Sequence, residues 1–222
     1  MAPVSAAKQV VLDAYARTTG PVAYLDESYQ APDGTTGRPT FYIFTAVLVD
    51  LKDLDVLRSG LVERAGSSYW HTSEALKSDE GREQTRDLLD YLAEGVEPCV
   101  IAHRVRVDPD DHDAEESRKA CYQALAVNLA KGRPGVWEPV ELLVLEERNQ
   151  RNLINRDQAN HKELVSAQRI PRNTRLLQTS PAHEQLLWLP DLVASAFRRT
   201  ITHADRTLYK LIEGQVHFVD EA

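Results

Sequence analysis

The chain of 222 residues carries a formal net charge of -8, and 42% of its residues are hydrophobic and 27% charged. This composition is typical of a soluble globular protein, and the length is sufficient for one domain with a substantial core. The net negative charge disfavours a protein that coats nucleic acid without specificity, but it leaves room for a local basic groove. No apolar stretch is long enough to span a membrane, and no basic and then apolar leader follows Met1.

The two cysteines indicate the cellular setting. Cys99 and Cys121 lie in unlike surroundings, without a Cys-x-x-Cys pair or a Cys/His cluster. We interpret both as free buried thiols in a reducing cytoplasm, and we therefore expect a cytoplasmic protein without structural zinc.

Hydrophobic periodicity predicts strands that alternate with helices along the chain, so we expect an α/β fold. The predicted helices cover residues 4–17, 51–65, 79–94, a segment that ends near 131, 155–168 and 184–203. The predicted strands cover residues 22–26, 41–49, 97–107, 140–145 and 174–178, and turn residues at 30–40 join the first two strands into a β-hairpin. We expect an N-terminal helical appendage at residues 1–20, the main domain at 21–203 and a peripheral C-terminal extension at 204–222.

Two of the predicted strands end in acidic pairs. The first strand ends at Asp26 and Glu27, and the strand at 140–145 ends at Glu146 and Glu147. A carboxylate in a dry interior must lose its charge or meet a cation, so solvent, a salt bridge and a metal ion are the open alternatives. If the two strands are neighbours in a sheet, their carboxylates lie side by side. Because side chains alternate along a strand, Glu27 should point away from Asp26 and is the weaker candidate.

Four short motifs carry a resemblance to a known family. They are Tyr24-Leu25-Asp26-Glu27-Ser28, His71-Thr72-Ser73-Glu74-Ala75-Leu76, Leu145-Glu146-Glu147-Arg148 and Leu187-Trp188-Leu189-Pro190-Asp191-Leu192-Val193-Ala194. In their order and spacing they resemble the RNase H-like domains of unknown function numbered 3800 (DUF3800), over about residues 20–202. The resemblance implies an RNase H-like mixed β-sheet flanked by helices, in which acidic residues converge to bind divalent metal.

The resemblance also implies roles for five residues, matched position by position. Asp26 would be the central metal bridge, Glu146 the ligand on a strand and Asp191 the ligand on the last helix. Glu74 and His71 match a histidine-containing segment of the family and would lie beside the site as further catalytic residues.

The chain departs from the family pattern at two places. The motif Trp188-Leu189-Pro190-Asp191 stands where the family often has Gln-Leu-Ala-Asp, and Glu146 stands where it often has Asp. Pro190 must start or kink the last helix, because proline lacks a backbone donor and crowds the preceding turn. These departures motivate an alternative in which the domain is catalytically silent.

Converging carboxylates favour a divalent cation on physical grounds alone. Two carboxylates ~4 Å apart repel by about 4 kcal/mol at an effective dielectric of about 20. Hard oxygen ligands favour Mg²⁺ or Mn²⁺, and a pair of such ions can activate water for attack on a phosphodiester. His71 or His183 could move a proton near neutral pH, although a lone histidine is more often structural.

A basic stretch offers a contact surface for nucleic acid. Residues 148–175 contain seven basic residues and two acids, a local charge of +5 in an acidic protein. The alternative is a solvated helix and loop face. The basic residues are Arg148, Arg151, Arg156, Lys162, Arg169, Arg172 and Arg175.

The sequence therefore predicts a metal-dependent nuclease that acts on DNA or RNA. The alternative is a catalytically silent RNase H-like module that binds nucleic acid or a protein. An enzyme acting on small phosphates is disfavoured because no glycine-rich loop precedes a helix. A calcium site is disfavoured because the acidic run at 108–116 lacks the calcium-loop pattern. Ser28 lacks the Gly-x-Ser-x-Gly context of a hydrolase nucleophile. The oligomeric state stays open.

Overall fold

The structure, a computed structural model, describes residues 5–35 and 37–219. The ends of both predicted extensions and one residue of the predicted hairpin turn lie outside the described residues. In the described part, the strands are β1 (Val22–Gln30), β2 (Phe41–Val49), β3 (Cys99–Val105), β4 (Leu142–Glu146), β5 (Arg175–Thr179) and β6 (Val216–Val219). The helices are α1 (Ala6–Tyr15), α2 (Leu54–Ala65), α3 (Thr72–Ala75), α4 (Asp79–Glu94), α5 (Glu115–Lys131), α6 (Arg151–Ser166), α7 (Trp188–Thr202) and α8 (Tyr209–Ile212).

Within the described residues, six strands form one mixed sheet in the order β5-β4-β1-β2-β3-β6. Strand β2 is antiparallel to both of its neighbours, β1 and β3, and its pairing with β1 forms the predicted hairpin. Strand β4 runs parallel to β1, β5 runs parallel to β4, and β6 runs parallel to β3. This mixed sheet with helices on both faces confirms the predicted α/β fold class of a mixed β-sheet flanked by helices.

The core consists of two hydrophobic layers separated by the sheet. One layer contains residues of α2, α4, α7 and α8, and the other contains residues of α5 and α6. All nine residues of β2 are buried, because this central strand is covered on both faces. Along β1, Tyr24 belongs to the first layer and Leu25 to the second. This alternation decides which face each acidic residue after Leu25 reaches.

The N-terminal helix is fastened to the domain through a buried polar cluster. Ser5 caps α1 by accepting a hydrogen bond from the Lys8 amide at 3.2 Å. At the other end of this helix, the Tyr15 hydroxyl donates to Glu184 Oε2 at 2.5 Å. Arg58 of α2 donates to both oxygens of the same carboxylate, at 3.1 and 2.9 Å. The cluster fixes the segment that leads into α7.

The C-terminal region differs from the peripheral extension that the sequence predicts. Strand β6 pairs with β3 and forms one edge of the sheet, and Ile212 of α8 is fully buried in the core. A four-residue strand gives too short a pattern for periodicity to predict it. The last predicted helix also begins later, at Trp188, because a 3-10 turn over Gln185–Leu187 precedes it.

Two further expectations can be compared with the structure. Both cysteines are buried, and no disulfide joins them. Of the helices in the described ranges, none combines the length and apolar character needed to cross a membrane.

Candidate active site

The parallel pairing of β1 and β4 brings two acidic residues to the same place. Leu25 lies opposite Leu145 in the register, so Asp26 and Glu146 are the next residues of neighbouring parallel strands. Glu146 ends β4, whereas β1 continues beyond the predicted end at Asp26 to Gln30, where it still pairs with β2. Both continue the alternation that places Tyr24 in the layer containing α7. Asp26 and Glu146 therefore lie side by side on the face of the sheet that α7 covers.

Helix α7 supplies the third carboxylate, Asp191. Pro190 is the third residue of this helix, where its missing N–H removes no hydrogen bond because the first amides of a helix lack internal acceptors. The Thr45 hydroxyl donates to the Pro190 carbonyl at 2.9 Å and lies 3.2 Å from the Asp26 carbonyl oxygen. These contacts hold the start of α7 against β1 and β2. The position of Asp191 in the first turn is favourable for a negative charge.

The three carboxylates Asp26, Glu146 and Asp191 line one cleft with a volume of about 370 Å³. The rim of this cleft includes Tyr69, His71 and Arg198. Among its described lining residues, Arg198 is the one arginine, and none is a lysine. We call this cavity the carboxylate cleft.

The electrostatics of the carboxylate cleft follow from burial and mutual repulsion. Burial raises the pKa of Asp26 well above its ordinary range, and nearby carboxylates raise it further. These are Asp191, Glu27 and Glu146, in order of decreasing effect. Burial likewise raises the pKa of Glu146 to about 7, with Asp191 the largest charge contribution. At neutral pH the cleft therefore favours a bound proton or another cation.

Asp191 also connects the carboxylates to the segment before α3. Its Oδ2 accepts a hydrogen bond from the Thr72 amide at 2.9 Å, and its Oδ1 lies 3.4 Å from the Ser195 hydroxyl. The first bond places His71 beside the cleft, where its Nδ1 lies 3.3 Å from the Ser73 hydroxyl. Both oxygens of Asp191 thus accept hydrogen bonds within the protein, and the bond from Ser195 is the longer of the two.

The three carboxylates have the right chemistry for a divalent metal ion, but their geometry does not form a metal site. Carboxylate oxygens are the ligands that Mg²⁺ and Mn²⁺ prefer, so the chemistry of the three side chains fits such an ion. Over residues 5–35 and 37–219, however, no group of three or more His, Cys, Asp or Glu is arranged to hold a metal ion. The bond from Thr72 to Asp191 gives a physical reason, because it fixes that carboxylate by contacts within the protein.

Other candidates from the sequence lie elsewhere. Glu74 is exposed and accepts hydrogen bonds from Lys77 at 2.7 Å, and it is not among the described residues that line the carboxylate cleft. His183 is likewise not among them. Glu27 borders the cleft, but its carboxylate forms a salt bridge with Arg118 of α5, on the opposite face of the sheet.

The basic stretch is divided between internal and exposed side chains. Arg148 and Arg156 form salt bridges with Glu115, the second at 3.1 Å. Arg175 donates to the Thr18 hydroxyl at 2.6 Å. The exposed members are Arg151, Arg156, Lys162, Arg169 and Arg172.

Among the cleft residues that the sequence did not predict, Tyr69 and Arg198 are the two that could contact a substrate. A signal for the arginine was present, because Asp191, Ser195 and Arg198 follow each other at helical spacings of four and three and share one face of α7. Tyr69 gave no comparable signal, since it belongs to an irregular segment between two helices.

Comparison with known proteins gives a likeness in fold. No protein-family model matches the chain, and no curated protein matches it. Two solved structures of Bst-RNase HIII are similar. The structure of a point mutant is 13% identical to this chain with a TM-score of 0.46. The matched region covers 96% of this chain and 57% of the mutant protein. The structure of a complex with Mn²⁺ is 14% identical with a TM-score of 0.47, and the matched region covers 90% of this chain and 56% of that protein. This chain spans little more than half of their length, and the likeness concerns the fold alone.

Proposed function

We propose that the chain is a metal-dependent nuclease that hydrolyses phosphodiester bonds of DNA or RNA. The observation that carries the proposal is the convergence of Asp26, Glu146 and Asp191 on one cleft, with raised pKa values at the first two. Uncompensated carboxylates in a partly buried site are costly, so a protein retains them where a cation or a reaction uses them.

In this proposal the three carboxylates hold Mg²⁺ or Mn²⁺ and the rim handles substrate. Such an ion, when bound, supplies an activated water and stabilises the leaving oxygen. Asp26, on the central strand β1, has both other acids as charged neighbours and is the residue around which the site is built. His71 lies at the rim, where an imidazole can accept or release a proton.

Three finer assignments accompany the function. Membership of the DUF3800 family is supported by the four motifs in their order. A reducing cytoplasm is supported by two buried cysteines that no disulfide joins. Contact with nucleic acid away from the cleft is assigned to the exposed members of the basic stretch.

Cleavage of labelled substrates tests the proposal directly. Single-stranded DNA, single-stranded RNA, duplex DNA and an RNA–DNA hybrid are incubated with the full chain and Mg²⁺ or Mn²⁺. We expect cleavage of at least one substrate, and a loss of at least about 100-fold with Asp26→Asn, because this change removes a charged ligand. Asp87→Asn is the matched control, since Asp87 is exposed on α4 and outside the carboxylate cleft as described. Equal activity of the wild type and Asp26→Asn would contradict the assigned chemistry.

A catalytically silent binding module is the second candidate. It is favoured by the lack of a three-ligand arrangement among the described residues and by the bond between Asp191 and Thr72. Titration calorimetry with Mn²⁺ separates the two candidates. Heat of binding that disappears in Asp26→Asn supports the nuclease, whereas a folded wild type that binds no Mn²⁺ supports the silent module.

A further inference from the structure

The rim of the carboxylate cleft presents an exposed aromatic ring. Tyr69 is 66% exposed, although the next residue, Trp70, is only 7% exposed. Trp70 Nε1 donates to the Thr72 hydroxyl at 3.0 Å, and the Thr72 amide donates to Asp191 at 2.9 Å. The Tyr69 amide in turn donates to the Ser67 hydroxyl at 3.1 Å. This short segment is therefore fastened to the carboxylate site while one ring faces solvent.

The same cleft contains an arginine that is not used inside the protein. The adjacent Arg199 forms a salt bridge with Asp205 at 2.7 Å, whereas no salt bridge within the described part of the chain involves Arg198. Arg198 is exposed and lies two turns beyond Asp191 on the same face of α7. A guanidinium in this position faces a cleft whose other charged lining groups are mostly carboxylates.

These two side chains have complementary uses for a nucleotide. A guanidinium matches a phosphate group in geometry and charge, and in an acidic cleft it offsets repulsion of the substrate. An exposed tyrosine ring offers a stacking surface for a base, worth about 1–3 kcal/mol per base. The bases of an intact duplex are stacked on each other, so their faces are not accessible to such a ring.

We propose that Tyr69 and Arg198 hold single-stranded nucleic acid at the carboxylate cleft, Tyr69 by stacking on an unpaired base and Arg198 by binding a phosphate. This inference rests on the proposed nuclease function and names the substrate class for the same site. Both residues would bind the substrate directly and take no part in the bond cleavage. The basic stretch would contribute phosphate contacts, which do not require an accessible base.

Binding measurements test the inference separately from cleavage. Fluorescence anisotropy is recorded with labelled single-stranded DNA, single-stranded RNA and duplex DNA, using the full chain with Asp26→Asn to prevent cleavage. In this background Tyr69→Ala should weaken single-strand binding by about 5- to 100-fold, and Tyr69→Phe by less than about 2-fold, because stacking needs the ring and not the hydroxyl. Duplex binding should change by less than about 2-fold in either variant.

An abasic oligonucleotide provides the matched control for the ring. Without a base to stack on, Tyr69→Ala and Tyr69→Phe should bind it equally. Arg198→Gln should weaken single-strand binding and reduce the dependence of log K on log salt by about 0.7, the value for one phosphate contact on a single strand. Arg86→Gln, which changes an exposed arginine of α4 outside the described cleft lining, should leave the salt dependence unchanged.

Each result has one meaning. An equal effect of Tyr69→Ala on single strands and duplex, or no effect on either, overturns the inference even if the wild type cleaves nucleic acid. Single-strand binding that depends on Tyr69 supports the inference even if no cleavage is found, in which case only the nuclease proposal fails. A folded protein that binds no oligonucleotide overturns both.

Discussion

Two neighbouring residues of β1 meet opposite electrostatic environments. On the face covered by α5, Glu27 forms a salt bridge with Arg118, which is only 2% exposed and donates two hydrogen bonds of 2.8 Å to Asp157. On the face covered by α7, Asp26 meets Glu146 and further negative charge. Within the described residues no salt bridge reaches the three carboxylates of the cleft.

The fold thus neutralises carboxylate charge on the α5 face and leaves it uncompensated on the α7 face. The arginine cluster on the α5 face satisfies the fold itself, with Tyr42 accepting a further hydrogen bond from Arg118 at 2.9 Å. The carboxylate cleft has oxygen ligands for a cation, but within the described residues no basic side chain forms a salt bridge with its three carboxylates. Because folding does not require this arrangement, the α7 face is the functional candidate and the α5 face is the structural one.

The largest expected effect comes from breaking the neutralised face. Arg118→Met removes the nearest cation from the buried Asp157 and the partly buried Glu27, and leaves Asp157 only Arg148 at 3.8 Å. We therefore expect the free energy of unfolding to fall by about 3–5 kcal/mol. Urea denaturation measures the change. The control is Arg82→Met, which removes an exposed pair with Asp79 and should cost less than about 1 kcal/mol. A loss below about 1 kcal/mol for Arg118→Met would show that the cluster is not needed for folding.

Binding of a divalent cation at the carboxylate cleft should stabilise the protein. At a Mn²⁺ concentration of about 100 times its dissociation constant, binding to the folded state adds about 2.7 kcal/mol to the free energy of unfolding. Thermal denaturation with Mn²⁺ and with EDTA measures this difference. We expect the gain in the wild type and its loss in Asp26→Asn, while Asp87→Asn behaves as the wild type. A gain of equal size in Asp26→Asn would place the ion elsewhere.

The pH dependence of stability should carry the sign of a raised carboxyl pKa. Glu146 has an ordinary pKa of 4.5 and a pKa of about 7 in the folded chain. The folded state therefore binds more protons between these values, and the stabilisation by this group is full below about pH 4.5 and lost as pH rises through about 7. Solvent in the open cleft screens the charges, so we expect a fall of about 1 kcal/mol across this interval.

Comparison with Glu146→Gln isolates this contribution, because the variant cannot ionise at this position. Unfolding free energies are measured by urea denaturation from pH 4.5 to 8 in EDTA, and the difference between the wild type and Glu146→Gln is plotted against pH. As pH rises, the free energy of unfolding of the wild type should fall relative to that of Glu146→Gln. A flat difference would mean that Glu146 titrates in the folded chain as it does in the unfolded chain.

The sequence predicted the parts of the site that depend on regular structure. Asp26 and Glu146 each follow an apolar run, and the sequence predicted that they lie side by side if the two strands are neighbours. The parallel pairing of β1 with β4 meets that condition. The partner of Glu27 was not predictable, because Arg118 lies 91 residues further along the chain on α5, and only the packed fold brings them into contact. Likewise, the sequence alone does not reveal that Arg148 is occupied by Glu115.

Glu74 offers the smallest and most discriminating effect. The family resemblance implies a catalytic role, whereas the structure places its carboxylate on the exposed side of α3, paired with Lys77 at 2.7 Å. The orientation of this four-residue helix is set by the distant bond between Thr72 and Asp191, which no local pattern encodes. We therefore expect Glu74→Gln to change stability by less than about 0.5 kcal/mol, as for other exposed pairs.

The effect of Glu74→Gln on cleavage should be equally small, less than about 2-fold, with Asp26→Asn as the inactive reference. The same substrates and ions as for the wild type are used, so that the two carboxylates are compared under one condition. A loss of 100-fold or more without a loss of stability would mean that the segment of α3 rearranges when substrate binds and brings Glu74 into the carboxylate cleft. In that case the bond between Thr72 and Asp191 would be the contact that must open, and Asp191 would gain a free oxygen for a metal ion at the same time.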